Sequence, residues 1–197
     1  MIQCQDISLK FESKTIFSNF NLFVKKNEKI CLKAASGRGK STLLKLIQGF
    51  VSLDSGSVLI DGMRLERQNI NPIRERIAWV PQNINLPVED GNGLLRMLKI
   101  YDRKNEVVKK ALQLGLDDTI MDYSFVKLSG GQKQRMIIAA CLSMNKKILI
   151  MDEPTSSLDE DAIHLLLDEV LKLDEVTMVS ASHNSTWQSK MDRLIEL

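Results

Sequence analysis

Cysteine is scarce: the 197 residues hold only three, with no Cys-x-x-Cys pair and no metal-ligand spacing, so neither a disulfide framework nor a zinc site is indicated. Cys4, Cys31 and Cys141 sit in or beside apolar stretches, which predicts buried, reduced thiols and a cytoplasmic setting. Long hydrophobic runs are also missing. Met136–Leu142 and Ile148–Met151 are the longest, far below the roughly 20 residues that span a bilayer. Gln3, Asp6, Lys10 and Glu12 make the N-terminus a poor signal peptide or membrane helix. Charge of one sign is lacking too: 27 Lys and Arg against 25 Asp and Glu leave a formal net charge of +2. The basic residues are scattered among acidic ones, which argues against a nucleic-acid partner. Internal repeats and low-complexity linkers are absent.

What is present has the balance of a folded domain, 44% hydrophobic and 26% charged, in a chain long enough for one core. Ile7-Ser8-Leu9 alternates, Phe20–Val24 is mostly apolar, and Lys29–Ala34 reads as a strand ending at a turn. A helix is expected from Lys40 to about Gln48, with Leu43, Leu44, Leu46 and Ile47 on its apolar face. Strands near Ser57–Ile60 and Arg76–Val80 follow. Residues 83–127 show helical patterning at Leu94–Ile100 and Asn105–Leu114 and no strand. Helix and strand then alternate: a helix from about Gly131, strand Lys147–Asp152, helix Glu160–Leu173 and strand Thr177–Ser182. This order predicts a single α/β domain with a mostly parallel sheet and an N-terminal antiparallel β subdomain. Residues 1–82 and 128–197 would form its core, and 83–127 an inserted helical subdomain.

Between a strand and a helix lies Ala34-Ala35-Ser36-Gly37-Arg38-Gly39-Lys40-Ser41-Thr42. A glycine-containing loop there aims several backbone N–H groups at one point, and the helix dipole adds about half a positive charge, which suits a phosphate chain. Lys40 would reach the β and γ oxygens, and the Ser41 hydroxyl would ligate Mg²⁺. Gly37 and Gly39 let phosphate approach where a Cβ would block it. Ala34 stands where the usual pattern has its first glycine, and Arg38 where a small residue is common.

Ser129-Gly130-Gly131-Gln132 offers a second hydroxyl and bare amides at a helix start. One chain with two phosphate-binding ends, for a nucleotide with one γ-phosphate, suggests a head-to-tail dimer. Each Ser129 loop would then close over the nucleotide of the other subunit. A third site follows at Ile148–Met151, an apolar strand suited to burial on both faces, which ends in Asp152-Glu153-Pro154. Asp152 would emerge at the carboxyl end of the sheet, where ligands of such folds bind, and hold the Mg²⁺ shell through water.

With these elements in order, the chain resembles the nucleotide-binding subunits of ATP-binding cassette transporters over essentially its whole length. Leu128-Ser129-Gly130-Gly131-Gln132 is similar to that family's signature sequence. The resemblance implies that Glu153 is the catalytic carboxylate polarising the attacking water. It implies that His183 contacts the γ-phosphate and orients Glu153, and that Gln82 senses Mg²⁺ and links core to insert. Ser157-Leu158-Asp159 matches the loop crossing the dimer interface, with Asp159 also suited to cap a helix. Phe11 stands where an aromatic ring stacks on adenine, with Phe17 nearby. His164 carries no motif and reads as a surface or packing residue. The resemblance further implies ATP and Mg²⁺ as cofactors, an ATP-dependent homodimer or paired cassette, and an integral membrane permease at the cytoplasmic face. A cassette ATPase that mechanically regulates a membrane complex without transport is the alternative.

Overall fold

The computed structural model describes residues 1–12 and 14–197. In chain order the strands are β1 (Ile2–Phe11), β2 (Lys14–Val24), β3 (Lys29–Lys33), β4 (Ser55–Ile60), β5 (Met63–Arg64), β6 (Ile77–Val80), β7 (Ile148–Asp152), β8 (Thr177–Ala181) and β9 (Arg193–Glu196). The helices are α1 (Lys40–Ile47), α2 (Ile70–Arg74), α3 (Gly91–Met97), α4 (Lys104–Gln113), α5 (Gly130–Leu142), α6 (Glu160–Leu171) and α7 (Ser185–Ser189). Short 3-10 turns occupy Tyr101–Arg103, Asp118–Asp122 and Phe125–Lys127.

Two sheets result. One is antiparallel, in the order β2-β1-β4-β5, and the other runs β6-β7-β8-β3-β9 with every pairing parallel. This is the expected α/β architecture with a separate antiparallel subdomain. β7 and β8 are buried at every position, as strands covered on both faces must be. Their side chains alternate between two cores. Leu149 and Met151 join α5 and the helical segment, whereas Ile148 and Ile150 join α1 and the antiparallel sheet.

β1 shows how local conformation corrects a period. Its buried residues are Ile2 and Cys4, then Ile7 and Leu9, so the inward parity changes midway. The pairing with β2 shifts register between Cys4 and Ile7, and Asp6 takes φ 47°. The extra residue moves the apolar set back onto the core face. Gly56 on β4 lies against this bulge; a Cβ there would come 2.6 Å from the carbonyl oxygens of Gln5 and Asp6.

Within residues 83–127 the described elements are helices and turns, and their apolar side chains share a core with α5. The helix expected over Leu94–Ile100 begins earlier, at Gly91, capped by Asp90, whose Oδ1 accepts from Gly93 N at 2.6 Å. It stops at Met97 because the chain reverses at Lys99, with φ 57°. Four short elements escape the sequence patterns: β5, α2, α7 and β9. No described helix is long and apolar enough to cross a membrane.

Candidate functional site

The loop between β3 and α1 sits at the carboxyl end of the parallel sheet, beside the ends of β7 and β8. Gly37 and Gly39 both have positive φ, 74° and 98°. At Gly39 a Cβ would also meet Ile16 Cγ2 at 2.8 Å and the Phe17 ring at 3.2 Å, so only glycine fits. Gly39 leads directly into α1 and offers its first turn no side-chain cap. Ala35 O accepts from Arg38 N at 3.3 Å, which closes the loop, and the Arg38 side chain is exposed.

Lys40 is only 8% exposed. Its ammonium donates to Ala34 O at 2.8 Å and lies 2.8 Å from His183 Nε2. An ammonium has only donors, so Nε2 of His183 accepts. That ring nitrogen then has no proton for Glu153 Oε1, 3.5 Å away. Glu153 is held instead through Oε2, which accepts from the His183 backbone N–H at 3.3 Å.

Ser41 Oγ donates to Asp152 Oδ1 at 3.1 Å. Asp152, the last residue of β7, is 3% exposed, and burial pushes its carboxyl above the usual range despite that bond and the cations Lys45 and Lys40. Burial likewise raises Glu153, with His183 and Lys40 opposing. A hydroxyl beside a carboxylate is a hard-oxygen pair of the kind Mg²⁺ takes together with substrate phosphates. No three His, Cys, Asp or Glu side chains cluster as a metal site among the described residues. The pair therefore fits an ion brought with a phosphate chain rather than a self-contained cage.

Lys40, Ser41, Glu153 and His183 line one open cleft of about 760 Å³, while Asp152 lies behind Ser41. Ser36, Gly37, Gly39, Lys40, Ser41 and Thr42 form one wall, and Gln82, Glu153 and His183 face them. The volume is in the range of small-molecule sites. Ile16, Thr155, Ser156 and Asn184 also line it, none of them marked by the sequence motifs. Thr155 and Ser182 share a buried hydroxyl contact of 2.9 Å, and Ser182 Oγ accepts from Asn184 N at 3.1 Å, which fixes the turn carrying His183. Lys14, also unmarked, donates to Gly37 O at 3.2 Å and straps the hairpin to the phosphate loop.

Phe11 does not line the cleft. It ends β1 opposite Lys14 and is 47% exposed, while Phe17 is buried. The Ser129 segment is likewise apart from the cleft. Ser129 Oγ accepts from Gln132 N at 3.2 Å and Gln132 Oε1 accepts from Ser129 N at 2.9 Å, a complete capping box. Asp159 caps α6 through Ala162 N at 2.8 Å. His164 is exposed, as expected.

A family model described as ABC transporter matches residues 17–156. The energy-coupling factor transporter ATP-binding protein EcfA1 of Oenococcus oeni is 32% identical over all of this chain and 76% of its own length. Among solved structures, the dimeric bacterial ABC transporter cassette MJ0796 superposes with a TM-score of 0.90 at 26% identity, covering 100% of this chain and 94% of that one. The same cassette in a post-hydrolysis dimer bound to ADP and Pi gives 0.89 at 27% identity, with the same coverage.

Proposed function

This chain belongs to the ABC transporter family as an ATP-binding, ATP-hydrolysing cassette, and from that premise we propose that it energises a separate membrane permease by closing head-to-tail over ATP with a second cassette. One observation carries the reading: the phosphate loop, Glu153 and His183 line a single cleft, with Asp152 bonded to Ser41 at its edge. The permease would hold the cassette at the cytoplasmic face of the membrane.

The phosphate-loop amides and the N-terminus of α1 hold the triphosphate. Lys40 moves from Ala34 O and His183 Nε2 to the phosphate oxygens, a stronger charge-assisted contact. That exchange releases His183 to face the γ-phosphate. Ser41 and Asp152, with Gln82, would hold Mg²⁺, which would supply positive charge to offset that of the triphosphate. Glu153, raised by burial, orients the attacking water and takes its proton. Ser129, Gly130, Gly131 and Gln132 of the partner cassette close over the γ-phosphate, with Asp159 of the crossing loop beside them. Residues 83–127 act as the helical subdomain receiving the permease, and Gln82 joins it to the core.

Glu153→Gln tests this directly. It should bind ATP, lose about 10²- to 10⁴-fold in turnover, and form a dimer by light scattering only when ATP is present. Rapid hydrolysis by this variant would remove Glu153 from the mechanism, and a monomer with ATP bound would remove the shared site.

A further inference from the structure

Gln134 lies two residues beyond the Ser-Gly-Gly-Gln segment, in the early part of α5, and is 1% exposed. Its side-chain amide is used at both ends. Nε2 donates to the Glu153 carbonyl at 2.9 Å, and Oε1 accepts from the Ser157 N–H at 3.1 Å. One side chain thus bridges Glu153 and Ser157 in the turn between β7 and α6.

That turn needs holding. Glu153 sits at φ 49°, a left-handed conformation that costs an L-residue about 1–2 kcal/mol and persists only where surroundings enforce it. The Glu153 N–H donates to Ala181 O at 2.8 Å, and its carbonyl also accepts from Ser156 N at 3.2 Å. These bonds fix the peptide planes on both sides of the Cα, and so the direction in which the carboxylate leaves the backbone. A second contact ties the same turn to α5. A Cβ on Gly131 would stand 2.8 Å from Ser157 O, so the first turn of the helix is seated directly on this backbone.

Resting on the shared-site reading above, we propose that Gln134 is a positioning residue: it sets Glu153 for hydrolysis and joins it to the helix that closes the partner's nucleotide. Gln134 does not line the cleft, so it acts through the Glu153 backbone and not on substrate. Displacement of α5 on closure is transmitted to Glu153 through these bonds. A catalytic group misplaced by about 1 Å loses about 100-fold in rate.

The test compares wild type, Gln134→Met and Gln134→Asn as full chains, in steady-state ATP hydrolysis and in amide hydrogen exchange without nucleotide. Methionine keeps an unbranched chain of similar length without the amide; asparagine keeps the amide with a shorter reach. For Gln134→Met, kcat and kcat/KM should fall together by about 10- to 100-fold, with ATP affinity within about twofold. Its Ser157 amide should exchange faster. Gln134→Asn should show the same split to a smaller degree, and serves alone if the methionine variant does not fold. Wild-type kcat in a folded variant overturns the proposal, as does a loss of ATP affinity in step with kcat, which marks a structural role. If wild type turns over no faster than Glu153→Gln, the role of Glu153 fails, and unchanged Ser157 exchange separately overturns the clamp.

Discussion

Two helix N-termini bracket the proposed nucleotide, and they are built in opposite ways. α1 begins after Gly39, with no side-chain cap and a buried lysine in its first position. α5 begins after Ser129 with a reciprocal capping box, so two of its end amides already have partners within the chain. The first end is an anion site in a single chain. The second has two amides satisfied within the chain, while the Ser129 hydroxyl, accepting from Gln132 N, keeps its own proton to donate to an anion. Its value as a half-site therefore depends on a second cassette presenting the anion.

Lys40→Ala attacks the first end. Losing a charge-assisted contact of about 1.5–3 kcal/mol should weaken ATP binding by about 10- to 100-fold, measured by calorimetric titration. Unchanged affinity would mean that the uncapped end is not where phosphate binds. Ser129→Arg attacks the second end. On the Glu153→Gln background it should abolish the ATP-dependent dimer in light scattering while monomer affinity stays within about twofold. Persistent dimerisation would reduce the α5 end to an ordinary cap.

The smallest effect concerns a buried ion pair that joins α6 to α4. Glu169 of α6 is 3% exposed; its Oε2 accepts from Lys110 of α4 at 2.6 Å and its Oε1 from Lys172 at 2.7 Å. Burial alone would raise its carboxyl, but bonds from Lys110 and Lys172 outweigh it and hold the group below the usual glutamate range. A depressed folded-state value stabilises the protein above the usual glutamate range, and this is lost as pH falls through the shifted value. Lys110→Met should cost about 1–2 kcal/mol at neutral pH, between the worth of exposed and buried pairs. That corresponds to a melting temperature lower by about 2–8 °C. The difference from wild type should shrink as the pH drops below the glutamate range. A pH-independent difference would assign the loss to packing.

The phosphate loop was legible because its chemistry is local: glycines, a lysine and a hydroxyl must be neighbours in sequence to surround one phosphate chain. β7 was legible because burial on both faces demands an unbroken apolar run from Ile148 to Met151. α7 and β9 were not. At five and four residues they have too few periodic positions to declare themselves, and β9 exists by pairing with β3 far back in the chain. Lys14 and Gln134 were hidden for a related reason. Nothing near Lys14 in sequence indicates that it reaches Gly37, and Gln134 is one polar residue in the first part of a helix until its partners are known.

By itself the sequence determined the α/β order, the phosphate loop, the acidic pair after a buried strand and the helix start at Ser129, all features written within a few adjacent residues. The tertiary structure alone decided that Lys40 rests on His183, that Phe11 stands outside the cleft and that Gln134 clamps the Glu153 turn. The Lys40–His183 and Gln134–Glu153 contacts join residues 143 and 19 positions apart, and the packing of sheets and helices, not local patterning, brings such residues within bonding distance.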